Sequence, residues 1–92
     1  GSVHTYRRMI HHMDEGIGRI VAALDSAGLL ATTLIVFTSD NGGERFSDNW
    51  PLVGGKMDLT EGGIRVPWIA QWPAVIAPHW RNAFTWSSVM SA

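Results

Sequence analysis

Apolar residues recur at steps of three and four along the first part of the chain, at Tyr6, Ile10, Met13, Ile17, Ile20 and Leu24. That spacing sets them on one stripe of a helix, while the outer face carries Arg7, Arg8, His11, Glu15, Arg19 and Asp25. Ser2 or Thr5 offers a hydroxyl to cap the start. Gly28, followed by Leu29, stands where a left-handed residue closes a helix. The pattern predicts a helix over residues 4–27.

The periodicity then changes. Thr32-Thr33-Leu34-Ile35-Val36-Phe37-Thr38 is a run of β-branched and aromatic residues without polar alternation, which predicts a strand over 32–38 buried on both faces. The turn formers Ser39-Asp40-Asn41-Gly42-Gly43 end it and open a polar, glycine-rich loop over 39–63. A loop of that length inside a compact domain is more often functional than idle. Residues 64–71 read as a second strand, with Pro67 suiting an edge or a strand start, and Trp72-Pro73 ends it. From 72 to 92 the reading is an irregular tail, within which Thr85 to Met90 begins a further strand or helix. Helix, buried strand, long loop and strand predict an α/β fold, a fragment of a mainly parallel sheet flanked by helices.

Composition narrows this picture. The 92 residues allow one small domain; 46% are hydrophobic and 16% charged, below the roughly 25% charged of ordinary globular chains. Together with five tryptophans, that balance describes a piece normally covered by other parts of a larger protein. A net charge of −1 gives no electrostatic footprint for nucleic acid. The absence of cysteine excludes disulfides and thiolate metal sites but leaves the compartment open. No apolar run approaches the roughly 20 residues of a membrane span. Gly1-Ser2 reads as a cloning scar, with residues 1–3 outside the fold.

Two clusters carry candidate chemistry. Asp40 and Asn41 follow the first strand, where ligands bind in open α/β sheets, and pair a carboxylate with a carboxamide: hard oxygen donors suited to Ca²⁺ or Mg²⁺. The competing reading of Ser-Asp-Asn-Gly-Gly is a plain turn. Lys56, behind Gly54-Gly55, can reach an oxyanion while the backbone approaches closely; a solvated flexible loop is the alternative. His11 and Glu15 lie one helical turn apart and read as a surface pair rather than a metal site. His4 and His79 read as solvated. Trp68, Trp72, Trp80 and Trp86 read as packing residues rather than a sugar-stacking platform.

Taken together, three segments closely resemble the type I sulfatase (arylsulfatase) family of the alkaline-phosphatase-like superfamily, over about residues 6–76. They are Tyr6…Met13-Asp14…Gly18-Arg19-Ile20…Leu24…Gly28; Thr33 to Gly43; and Pro51-Leu52…Gly54-Gly55-Lys56…Glu61-Gly62-Gly63-Ile64-Arg65-Val66-Pro67…Trp72-Pro73. The resemblance implies that Asp40 and Asn41 are calcium ligands, Ca²⁺ being favoured over Mg²⁺, and that Lys56 contacts the substrate sulfate. It implies a structural role for Asp14, and for Glu61 to Pro67 the return of the chain into the sheet. Phosphodiesterase and phosphonate hydrolase relatives carry histidine after this aspartate; Asn41 favours a single hard cation and sulfate esters instead.

The family's nucleophile, a formylglycine made within Cys/Ser-x-Pro/Ala-x-Arg, has no counterpart here. There is no cysteine, and no serine is followed by that pattern. The family's early aspartate pair and catalytic histidines are also absent. The resemblance therefore implies part of a sulfate-ester hydrolase, inactive as this chain alone. Two alternatives stay open: a non-catalytic module that forms a homo-oligomer through exposed sheet edges, and a phosphoesterase relative.

Overall fold

The computed structural model describes residues 1–78. Helix α1 spans Val3–Ser26. A 3-10 turn follows at Leu30–Thr32, then strand β1 at Ile35–Thr38, a single helical turn α2 at Glu61–Ile64, and strand β2 at Trp68–Gln71. Among the described residues, Gly1–Ile35 with 70–78 form one compact unit and Val36–Ile69 a second.

In the first unit the ends of α1 follow from side-chain chemistry. Ser2 is extended (φ −147°, ψ 162°) and its Oγ accepts the Thr5 amide at 3.1 Å, so it is the N-cap rather than a residue outside the fold. At the other end Gly28 has φ +70°. Its amide donates to Asp25 O at 3.0 Å and the Leu29 amide to Leu24 O at 2.9 Å, the paired bonds of a Schellman stop.

The first strand is shorter than its composition predicts. Leu29 O accepts the Thr32 amide at 3.2 Å and the Thr33 hydroxyl at 2.6 Å, which draws Thr32 into the 3-10 turn and makes Thr33 its extended C-cap. The second strand is also shorter. Thr60 caps α2 with extended dihedrals, the Ile64 amide donates to Thr60 O at 3.2 Å and Arg65 N to Glu61 O at 3.0 Å, so 61–64 coil before β2 begins.

Strands β1 and β2 form a two-stranded antiparallel sheet. Ala74 N donates to Ala31 O at 2.9 Å in the first unit. In the second, Thr38 Oγ1 donates to Pro67 O at 2.9 Å and Gly42 N to Gly63 O at 2.7 Å. One strand advances as the other retreats, which fixes the antiparallel register. A sheet this small neither requires nor displays the parallel arrangement expected from the continuous apolar run.

Burial also departs from the expectation of a strand covered on both faces. Ile35 and Phe37 are half-buried, but Val36 is 46% exposed and Leu34 50%. Among the described residues the only buried apolar side chain is Val66, beside the buried Gly62 and Gly63. Trp68 is exposed and Trp72 half-buried. His79, Trp80, Trp86 and the element expected over Thr85 to Met90 lie outside the described residues. No helix among them is long and apolar enough to cross a membrane.

Candidate functional site

All three predicted site residues fall in the unit Val36–Ile69. Asp40 and Asn41 come directly after β1. Ser39 Oγ donates to Asn41 O at 2.8 Å and closes this turn from within. Asp40 is exposed and Asn41 half-buried. Among the described residues, no hydrogen bond or ion pair engages the Asp40 carboxylate.

The polypeptide beyond Asn41 is held by close backbone approach. A Cβ at Gly42 would overlap the Gly62 carbonyl, and a Cβ at Gly62 would overlap the carbonyls of Gly54 and Val53. Only residues without side chains let these strands of loop touch. Gly62 N donates to Val53 O at 2.7 Å across the same contact. The buried pair Gly62-Gly63 thus connects the segment after β1 with the segment that carries Lys56.

Lys56 is placed by its main chain. Its amide donates to Gly43 O at 3.0 Å, so a residue two positions beyond Asn41 anchors the lysine backbone. Asn49 reinforces that junction: its half-buried Nδ2 donates to Gly43 O at 2.9 Å and to Gly54 O at 3.1 Å. Beyond Lys56 a turn is closed by Asp58, whose Oδ2 accepts Gly55 N at 2.9 Å and whose amide donates to Gly55 O at 2.9 Å. Met57 holds φ +80° inside it. Lys56 Nζ lies 3.6 Å from Glu44 Oε2, an exposed ion pair.

The structure therefore joins the Lys56 backbone to the Gly43 carbonyl, two residues beyond Asn41; among the described residues no hydrogen bond or ion pair links the Asp40 or Asn41 side chain to the Lys56 ammonium. Sequence reasoning singled out neither Asn49 nor Glu44. Asn49 has a readable signal, an Asx residue just before Trp50-Pro51, but a turn and a cross-loop clip look the same in sequence. Arg65 and Glu61, read as structural, approach each other at 3.2 Å (Nε to Oε2), while the buried Arg65 Nε lacks a well-directed hydrogen bond. The contact is charge proximity rather than a directed bond. On α1, Glu15 faces both His11 (3.4 Å) and His12 (3.3 Å) as exposed surface pairs.

As a cation site the donors fit in kind but not in number. Asp40 and Asn41 offer two hard side-chain oxygens, against the six to eight oxygen ligands that Ca²⁺ takes. No cluster of three or more His, Cys, Asp or Glu that could hold a metal exists among the described residues. A groove lined by Pro51, Leu52, Leu59 and Ile64 lies in the same unit and includes none of the three site residues.

Comparison with known proteins is consistent in one direction. A family model described as Sulfatase matches residues 1–90. The chain is 42% identical over 88 residues to the steryl-sulfatase of Mus musculus, covering 84% of this chain and 14% of that protein. It is 41% identical over 71 residues to human arylsulfatase A, covering 72% and 14%. Against the N-acetylgalactosamine-6-O-sulfatase of Bacteroides thetaiotaomicron it is 36% identical over 89 residues, covering 82% and 17%. The chain thus spans about one seventh to one sixth of the length of these curated relatives. No solved structure matches it significantly.

Proposed function

This chain belongs to the sulfatase family, and on that premise we propose that it supplies part of the active site of a sulfuric-ester hydrolase. Asp40 and Asn41 act as two ligands of a Ca²⁺ ion, and Lys56 contacts the sulfate of the substrate. The observation that carries this reading is the bond from Lys56 N to the Gly43 carbonyl at 3.0 Å, two residues beyond Asn41. Fixing the Lys56 backbone to a carbonyl just beyond a carboxylate and a carboxamide supports a cation and an anionic oxygen bound side by side.

The roles follow from the groups. The Asp40 carboxylate, exposed and unengaged among the described residues, contributes the negative charge that holds the cation. The Asn41 carboxamide oxygen adds a neutral hard donor. Lys56, a compact point charge on a flexible stem, orients the sulfate and stabilises charge on its oxygens. When bound, the cation supplies Lewis-acid stabilisation of the same oxygens.

The two-stranded sheet is, in this proposal, a piece of the larger alkaline-phosphatase-like α/β sheet. An antiparallel pair at the margin of a mainly parallel sheet is a common arrangement. The exposed Leu34 and Val36 are then the surfaces that neighbouring elements cover. The formylglycine nucleophile is expected in the full-length protein; its sequence pattern is absent from these residues. Asp40, Asn41 and Lys56 bind and polarise but break no bond, so the 92-residue chain alone hydrolyses no sulfate ester.

The test is a Ca²⁺ titration of the intact polypeptide that carries this segment, followed by thermal unfolding, with Asp40→Ala in parallel. Stabilisation at micromolar to millimolar Ca²⁺, lost in Asp40→Ala, is the expected result. Equal response of both proteins, or none from either up to millimolar Ca²⁺, overturns the assignment of Asp40.

A further inference from the structure

Asn49 occupies a position that neither the calcium nor the sulfate assignment explains. Its single Nδ2 group donates to Gly43 O at 2.9 Å and to Gly54 O at 3.1 Å. Gly43 precedes the Glu44–Ser47 turn, in which Ser47 N and Oγ both donate to Glu44 O (2.9 and 2.6 Å). Gly54 lies two residues before Lys56. The side chain therefore ties together the two ends of the excursion between the cation segment and the lysine. A second bond runs parallel to it, from Lys56 N to the same Gly43 oxygen at 3.0 Å. Both lone pairs of that carbonyl are thus used, one for Asn49 and one for Lys56.

The neighbouring geometry gives the clip leverage. Gly54 has φ +85°, and a Cβ there would run into Thr60 Oγ1. Gly55 likewise sits where a Cβ would come within 2.8 Å of Gly43 O and 3.3 Å of Asn49 Nδ2. Glycines in this stretch allow the close approach but supply no side chain to fix it. Left-handed and glycine backbone carries the largest conformational freedom, so something else must hold Lys56 in place. Among the described residues Asn49 is the only side chain that hydrogen-bonds the backbone of both segments; the exposed Glu44–Lys56 ion pair joins them through side chains alone.

We propose that Asn49 is a positioning residue for sulfate recognition: it fixes the Lys56 backbone against the Asp40-Asn41 turn, and so the place of the ammonium relative to the cation ligands. This rests on the reading of Lys56 as the sulfate contact. Asn49 itself touches neither sulfate nor cation; it acts through Lys56. A displacement of about 1 Å at such a site costs on the order of a hundredfold in turnover when it misaligns reacting groups, and less when it weakens only one ionic contact.

The experiment uses the intact polypeptide that carries this segment, assayed on an aryl sulfate with inorganic sulfate as competitive inhibitor. The variants are Asn49→Ala, Lys56→Ala and the double variant, each checked by thermal unfolding. Lys56→Ala is expected to raise the inhibition constant of sulfate about tenfold or more, and Asn49→Ala about three- to tenfold. The double variant is expected to match Lys56→Ala alone, because a residue that acts through Lys56 has nothing left to position. A purely structural role would instead multiply the two losses, and that result overturns the inference. So does an unchanged inhibition constant in Asn49→Ala with Lys56→Ala impaired. If Lys56→Ala leaves sulfate inhibition unchanged, the assignment of Lys56 fails, and the role of Asn49 fails with it. Should Asn49→Ala not yield folded protein, Asn49→Ser keeps one donor for one of the two carbonyls. An intermediate rise in the inhibition constant, again abolished in the Lys56→Ala background, is then expected, and a multiplying effect again overturns the inference.

Discussion

Lys56 Nζ stands 3.6 Å from Glu44 Oε2, with side chains 45% and 71% exposed respectively. The pairing follows from the main chain: Lys56 N is bound to Gly43 O, which puts the lysine beside the next residue along. An ion pair that open to water contributes little to stability and is easily exchanged for another anion. In the proposed site, Glu44 holds the ammonium until a sulfate displaces it.

Glu44→Gln is therefore expected to change unfolding free energy by no more than about 0.5 kcal/mol. In the intact polypeptide it should tighten inorganic sulfate inhibition by about two- to fivefold, most clearly at low ionic strength. Weaker inhibition in Glu44→Gln would show that the carboxylate assists sulfate binding rather than competing with it.

Gly62→Ala tests the close approach of the loop segments. The added methyl would meet the carbonyls of Gly54 and Val53, which are backbone and cannot rotate away. A loss of about 1–3 kcal/mol is expected by urea unfolding, with reduced Ca²⁺ response. A neutral Gly62→Ala would mean that these segments separate in solution.

Gly28→Ala gives a different kind of loss. Nothing lies within 4 Å of the added methyl, but the residue holds φ +70°. The cost is conformational, about 1 kcal/mol, and should leave any Ca²⁺ response untouched. The two glycine variants thus separate a contact constraint from a dihedral one.

Ser2→Ala removes the acceptor for the Thr5 amide and should cost about 1 kcal/mol of helix stability, read as an earlier loss of ellipticity at 222 nm on heating. Ser2→Asp should retain it.

The helix was legible because its signals are local: a three-and-four apolar stripe, a hydroxyl at the start and a glycine at the end all act within a turn or two. The strands were legible in place and overextended in length. Thr32 and Thr33 have strand composition, yet their hydroxyls find Leu29 O one turn back, and a side-chain bond to nearby backbone outweighs β preference. Residues 61–64 were read as loop running into strand because two glycines are poor helix formers; they are there for the approach of other backbone, which no local propensity encodes. Asp40, Asn41 and Lys56 are candidates from spacing and family likeness. The meeting of Lys56 N and Asn49 Nδ2 on the Gly43 carbonyl was not legible, because it depends on how the intervening loop closes. The full burial expected for 32–38 fails for a related reason: an unbroken apolar run reports the surroundings for which it is suited, and among the described residues few are present.

The bond from Gly42 N to Gly63 O, at 2.7 Å, has a consequence for how this segment tolerates change. It pins the two feet of everything between them, so the intervening stretch behaves as a tethered insert whose entry and exit are fixed. Lengthening such an insert costs little, because the closure penalty grows only logarithmically with length. Residues added near Arg45 and Phe46, away from Asn49 and Lys56, leave both feet and the strand register unaltered. That makes the tip of this stretch a place where new recognition surface can be grafted next to Asp40, Asn41 and Lys56 without rebuilding the backbone that carries them.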